Sequence, residues 1–186
     1  MLENALIRYC APTLARLLPG GLFTLKIENL EEMVQRIRAV RAILRPKGVE
    51  LTLLRVRGER ALFFLYRPAE LEKVLDGEAA QEMLVSLGYV CSDVSATLRT
   101  LRVRLQSEEG FPHEIGIFLG YPPADVAGFI RNGGRGCLLC GCWKVYVDAC
   151  KAARTFERLR KCKEVYARLF ACGYPLSRLT VSADSA

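Results

Sequence analysis

Three features of this sequence predict an α/β (α+β) fold. Two β-rich runs, Val49 to Arg67, flank Gly58-Glu59 as a hairpin; several segments carry apolar residues at helical spacing; and a long apolar stripe follows Asp148. Together they predict a single domain over residues 1–186, with a small mixed or antiparallel sheet around the central hairpin. Helices pack on that sheet, and a long C-terminal helix covers the strand that begins near Cys142.

The elements follow in order. Leu2 to Leu18 reads as a helix through Leu6, Tyr9, Cys10, Leu14 and Leu17, with Pro12 as a kink and Pro19-Gly20-Gly21 as its end. Leu22 to Ile27 alternates as a strand. Asn29 then caps a helix running to about Leu44, with a glutamate three positions on at Glu32. Its apolar stripe is Leu30, Met33, Val34, Ile37, Val40 and Leu44, opposite Arg38, Arg41 and Arg45. After the hairpin, Pro68 opens the first turn of a helix. Leu71 to Leu75, Ala79 to Leu87 and Val94 to Leu105 are helical by pattern, with Gly88 as a C-cap. Glu114 to Leu119 reads as a buried strand, although so short an apolar run has no decisive period. Pro122-Pro123-Ala124-Asp125 begins a helix to about Arg131, Asn132 to Gly136 is a glycine-rich loop, and Cys142 to Val147 is strand-like. Asp148 caps the final helix, which runs to about Cys172 with Phe156, Leu159, Cys162, Val165, Tyr166 and Leu169 on its apolar face.

Composition bounds the function classes. With 186 residues, 51% of them hydrophobic, the chain has enough apolar material for a core, which excludes a disordered or low-complexity protein. The start Met1-Leu2-Glu3-Asn4 has no basic region ahead of an apolar core, and no apolar run approaches a bilayer's width. These features predict a cytoplasmic protein without a membrane span, in which the eight cysteines are reduced thiols.

Candidate chemistry concentrates between Phe111 and Tyr146. The only histidine, His113, precedes Glu114, and Cys137, Cys140 and Cys142 lead to the only tryptophan, Trp143. Cys137-Leu138-Leu139-Cys140-Gly141 has the form of half a zinc knuckle, with His113 as a further ligand; an iron–sulfur cluster or a redox dithiol uses the same thiols. Cys140, His113 and Glu114 form a candidate catalytic set, in which the imidazole deprotonates the thiol. On a strand, adjacent residues face opposite sides, so Glu114 is not expected to orient His113 itself. The glycine loop lacks the pattern of a phosphate loop.

Charge is the third signal. From Arg131 to Phe170 the ten residues Arg131, Arg135, Lys144, Lys151, Arg154, Arg158, Arg160, Lys161, Lys163 and Arg168 face Asp148, Glu157 and Glu164, an excess of seven that equals the net charge of +7. Nucleic acid or an acidic partner is the corresponding expectation, through Arg154, Arg158 and Lys161.

From Phe111-Pro112-His113-Glu114-Ile115-Gly116-Ile117-Phe118-Leu119-Gly120-Tyr121-Pro122, through Asp125-Val126, Gly128-Phe129-Ile130, Cys140-Gly141 and Trp143-Lys144-Val145-Tyr146, the chain resembles a bacterial family known as domain of unknown function 3793. Cys10-Ala11-Pro12-Thr13-Leu14 and the helix around Phe156 and Cys162 extend the match over nearly the whole chain. The resemblance implies a small cytoplasmic protein of anaerobic bacteria with no assigned activity. It also implies counterparts for Cys10, His113, Glu114, Cys140, Trp143 and Cys162, with Cys137 and Cys142 peculiar to this sequence. A site assembled from distant segments follows. Its candidate metal ligands are Cys10, His113, Cys140 and Cys162; Cys137 and Cys142, from the half-knuckle, are further candidate metal ligands, and Trp143, Lys144 and Tyr146 are candidate cofactor contacts. The first expectation is therefore a metal or iron-containing cofactor (zinc, iron–sulfur or haem). A cysteine-dependent enzyme using Cys140 and His113, and a basic module binding nucleic acid or an acidic partner, are the alternatives.

Overall fold

The computed structural model describes residues 2–107 and 110–183. Its elements are α1 (Leu2–Leu14), β1 (Gly20–Lys26), α2 (Leu30–Leu44), β2 (Glu50–Arg57), β3 (Arg60–Tyr66), α3 (Pro68–Leu75), α4 (Glu78–Ser86), α5 (Val94–Gln106), α6 (Ile115–Phe118), α7 (Pro123–Asn132), β4 (Leu139–Cys140), β5 (Lys144–Val145) and α8 (Ala149–Ala171). The mixture of helices with small antiparallel sheets is the α+β class that the sequence predicts. By contact density the residues form two compact units, 1–70 with 161–186, and 71–160.

The first unit is built on an antiparallel sheet of order β1-β3-β2. Gly58, with φ +56°, takes the left-handed position of the two-residue turn that a side chain would strain, so Arg57 pairs with Arg60 and the register runs to Glu50 opposite Tyr66. The register shifts between Leu53 and Arg55. Pairing of β1 with β3 puts Phe23 opposite Phe63, and their rings stack 5.3 Å apart. Leu6, Cys10 and Leu14 of α1, Met33, Val40 and Leu44 of α2, and Leu51 and Leu65 of the sheet close over these rings as one core. Asn29 caps α2 by accepting from the Glu32 N–H at 3.1 Å. The apolar stripe of α2 is narrower than expected: Leu30 is 67% exposed and Val34 also faces solvent, while Arg41 reaches across to donate to the Leu51 carbonyl at 2.9 Å.

The first helix stops at Leu14, short of the expected Leu18. Arg16 enters the left-handed region at φ +60°, and the Leu17 N–H turns back to the Pro12 carbonyl at 2.7 Å. The carbonyls this leaves at the helix end are met by Arg67. Its side chain is 2% exposed and donates to the carbonyls of Thr13 (2.7 Å), Leu14 (2.8 Å) and Val181 (2.7 Å). A cation suits the negative end of the helix dipole. Burial, and then the charge of Arg16, hold the Arg67 pKa below its ordinary value. The same bonds dock the C-terminal segment, whose Leu176 and Leu179 enter the core.

In the second unit, Asp93 caps α5 through the Ala96 N–H at 2.7 Å, and Gly88, φ +81°, turns the chain out of α4. The expected strand from Glu114 to Leu119 is instead the helical turn α6. Its backbone bonds close within the segment, the Leu119 N–H donating to the Ile115 carbonyl at 3.2 Å, and Gly116 fits the turn to its neighbours. A β-carbon there would lie 2.9 Å from Val126 and 3.1 Å from Tyr121, so the bare backbone lets α6 nest against α7. The strand expected over Cys142 to Val147 shrinks to Lys144–Val145, paired with Leu139–Cys140. The N-terminal half of α8 does pack on this hairpin: Phe156 meets the Trp143 ring edge-on at 4.5 Å. Among the described residues, no helix is long and apolar enough to cross a membrane.

Candidate functional site

The second unit contains a cavity of about 320 Å³ lined by residues of α6, α7, the segments flanking them and the β4–β5 hairpin. That volume is at the small end of the range for ligand sites. His113 enters it from the turn before α6, and Cys140 from the end of β4. Two of the three residues of the candidate catalytic set therefore share one cavity, although α7 and the glycine loop separate them in sequence. Both are exposed to solvent.

Aromatic rings wall the cavity. Trp143 stacks on Tyr121 at 4.9 Å between centroids, and the His113 imidazole meets Phe129 edge-on at 4.8 Å. Ile115, Leu119 and Val126 supply aliphatic surface. Burial, and then the charge of Cys142, push the Tyr121 hydroxyl up to about 12, so this phenol stays neutral at physiological pH.

One buried carboxylate organises this wall. Asp125 Oδ2 accepts the Trp143 indole N–H at 2.8 Å, and Oδ1 accepts the backbone N–H of Tyr146 (2.7 Å) and of Val147 (3.2 Å). Both oxygens are thus engaged, and α7 is pinned to the hairpin that carries Cys140. Glycines permit the close packing around it. A side chain at Gly128 would meet the Tyr146 ring at 2.6 Å, and one at Gly141 would overlap Phe156. The sequence gives little hint of this role, because an acid in the first turn of a helix reads as a dipole partner.

Lys144 stands directly opposite Cys140 in the two-stranded ladder, and residues so paired share a face. Its ammonium donates to the Gly134 carbonyl at 2.6 Å and lies 5.8 Å from the Phe129 centroid. Of the expected cofactor contacts, Trp143 and Lys144 line the cavity, whereas Tyr146 packs against Gly128 with its hydroxyl buried. Burial first, and then Cys137, raise the pKa of that hydroxyl.

Glu114 belongs to different surroundings. It is 3% exposed, and its Oε1 accepts from the Tyr89 hydroxyl at 2.9 Å and from Arg104 Nε at 2.6 Å. It lines a separate recess of about 200 Å³ with Arg104 and Leu87, and His113 borders both recesses. The hydrogen bond to Glu114 holds Arg104 above its ordinary pKa.

The expected metal set is not gathered into a ligand cluster. Among the described residues, no group of three or more His, Cys, Asp or Glu side chains is placed to hold a metal ion. A structural or catalytic zinc needs three or four protein ligands. All eight cysteines are free. Cys10 is fully buried behind Gly21, and burial drives its thiol pKa well above the ordinary value. Cys162 is half-buried on α8, where burial raises its pKa too, and Cys137 is also half-buried, while Cys142 is exposed. Arg154, Arg158 and Lys161 are exposed on α8.

No curated protein and no solved structure is significantly similar to this chain. A family model does match, over residues 6–180, and it spans every element of both units; the chain belongs to the family described as protein of unknown function (DUF3793).

Proposed function

We propose that the protein is a cysteine-dependent enzyme acting on a small molecule bound in the aromatic-walled cavity, with Cys140 as nucleophile and His113 as proton acceptor. The observation that carries this reading is the arrival of a thiol and an imidazole at one cavity from two separate segments. Nucleophilic catalysis by cysteine uses a base at the same cavity that comes within hydrogen-bond reach of the thiol in the ligand complex. The sulfur forms a bond to an electrophilic carbon of the ligand while the thiol proton passes to the imidazole. A leaving group on that carbon departs with the electron pair of the broken bond and takes up the proton. Water then attacks the same carbon, giving a proton to His113 as the S–C bond breaks, and the thiolate released on Cys140 takes that proton back, so the free thiol returns. The edge contact of His113 with Phe129 restrains the imidazole at the cavity.

Alkylation by iodoacetamide at neutral pH, resolved peptide by peptide with mass spectrometry, tests the reading. Cys140 should label at least tenfold faster than the exposed Cys142, Cys150 and Cys172, and His113→Gln should remove that advantage. Equal labelling of all four thiols in the native chain would overturn it.

A further inference from the structure

Resting on that reading, we infer that the ligand of this cavity is a small flat-ring anion, in its simplest form an aromatic carboxylate, with Lys144 as its counter-ion. One acidic and one basic side chain of ordinary charge line the cavity, Asp125 and Lys144. The negative one is satisfied from within, because three N–H donors converge on its two oxygens. The positive one is held but not consumed. An ammonium has three donors, and that of Lys144 gives one to the Gly134 carbonyl while the Phe129 ring supports it from the side. Lys144 therefore brings hydrogen-bond donors on a positive charge, whereas the Asp125 oxygens are already engaged, and an anionic group that accepts from the ammonium matches this pairing.

The backbone fixes where this charge stands. Gly134, with φ +76°, adopts a conformation that side chains rarely take, and a β-carbon there would lie 3.1 Å from Phe129 and 3.4 Å from Lys144 Nζ. The bare turn thus brings a carbonyl to the ammonium and leaves room for the ring below it. Flatness follows from the rings that line the cavity, Phe129, Tyr121 and Trp143, whose aromatic surface suits a planar ligand better than a branched one. The volume of about 320 Å³ suits a single-ring molecule.

Trp143 is the only tryptophan, so its fluorescence reports on this cavity alone. Benzoate should change the emission saturably, and neutral benzamide of the same shape should bind at least tenfold more weakly. Lys144→Met should raise the benzoate Kd at least tenfold and leave benzamide unchanged, while Lys144→Arg should retain most of the affinity. Benzamide binding as tightly as benzoate, an unaltered benzoate Kd in Lys144→Met, or no saturable response to either probe would each overturn the inference. If Lys144→Met does not fold, the ratio of the two probes in the native chain still decides it. The labelling advantage of Cys140 is read separately with neutral iodoacetamide, so loss of anion selectivity alone contradicts the ligand class and leaves the nucleophile standing.

Discussion

Trp143 donates its indole N–H to Asp125 Oδ2 at 2.8 Å, and through this bond a buried carboxylate on α7 sets the plane of the ring that walls the candidate site. Asp125→Ala leaves three donors without their acceptor and should destabilise the protein by about 2–4 kcal/mol in urea unfolding. Asp125→Asn can still accept the Tyr146 and Val147 N–H groups but turns an amide N–H toward the indole, so a loss of about 1–2 kcal/mol is expected. Both should shift the Trp143 emission; unchanged emission and stability would show that the bond does not hold the wall.

Arg67 makes a parallel prediction in the first unit. Its guanidinium serves the carbonyls of Thr13, Leu14 and Val181. Arg67→Met should cost about 1–3 kcal/mol, because the Val181 carbonyl loses its charged donor while those of Thr13 and Leu14 keep only the backbone N–H groups of Arg16 (3.2 Å) and Val181 (3.0 Å). The C-terminal segment it docks should become open to limited proteolysis near Val181. Resistance equal to that of the native chain would count against this role.

Glu114 tests structure against chemistry. Its carboxylate is held by Tyr89 and Arg104, so Glu114→Gln should lower stability by about 1–3 kcal/mol. The rate of Cys140 alkylation should change by less than about twofold, since about 0.4 kcal/mol separates such rates. A large fall in that rate with stability intact would place Glu114 in the chemistry.

Alkaline pH should weaken the fold through its buried phenols. Burial carries Tyr121 up to about 12, and burial followed by the charge of Cys162 does the same for Tyr166. Each folded pKa lies above the unfolded value near 10, so the folded chain keeps a proton that the unfolded chain releases. That contribution is fully present below about pH 10 and is lost as pH rises from about 10 to 12. Tyr121→Phe should therefore lose less stability than the native chain between pH 9 and pH 11 in urea unfolding. Parallel losses would contradict the burial of this hydroxyl.

Elements specified by local chemistry were the legible ones. Asn29 with Glu32, Gly58 in its turn and Asp148 before α8 each act within four residues, and each occurs where the spacing predicts. Ile115 to Phe118 coils where a strand is expected because a wholly apolar run has no period to separate the two, and Gly116 lets the turn pack closely on Val126 and Tyr121. Residue type singled out His113, Cys140, Trp143 and Lys144, which line one cavity, along with Glu114, Cys137, Cys142 and Tyr146, which do not. The parts supplied by tertiary packing stayed hidden: Asp125 as an acceptor shared by three donors, Phe129 as the support of both His113 and Lys144, and Glu114 turned into another recess.

His113 is the only histidine, so its imidazole gives one unambiguous nuclear magnetic resonance signal, and this provides the most direct test that thiol and imidazole share a site. Carbamidomethylation of Cys140 in the native chain should displace that signal, while the same treatment of a Cys140→Ser variant should leave it unchanged. An imidazole signal indifferent to modification at Cys140 would contradict the account.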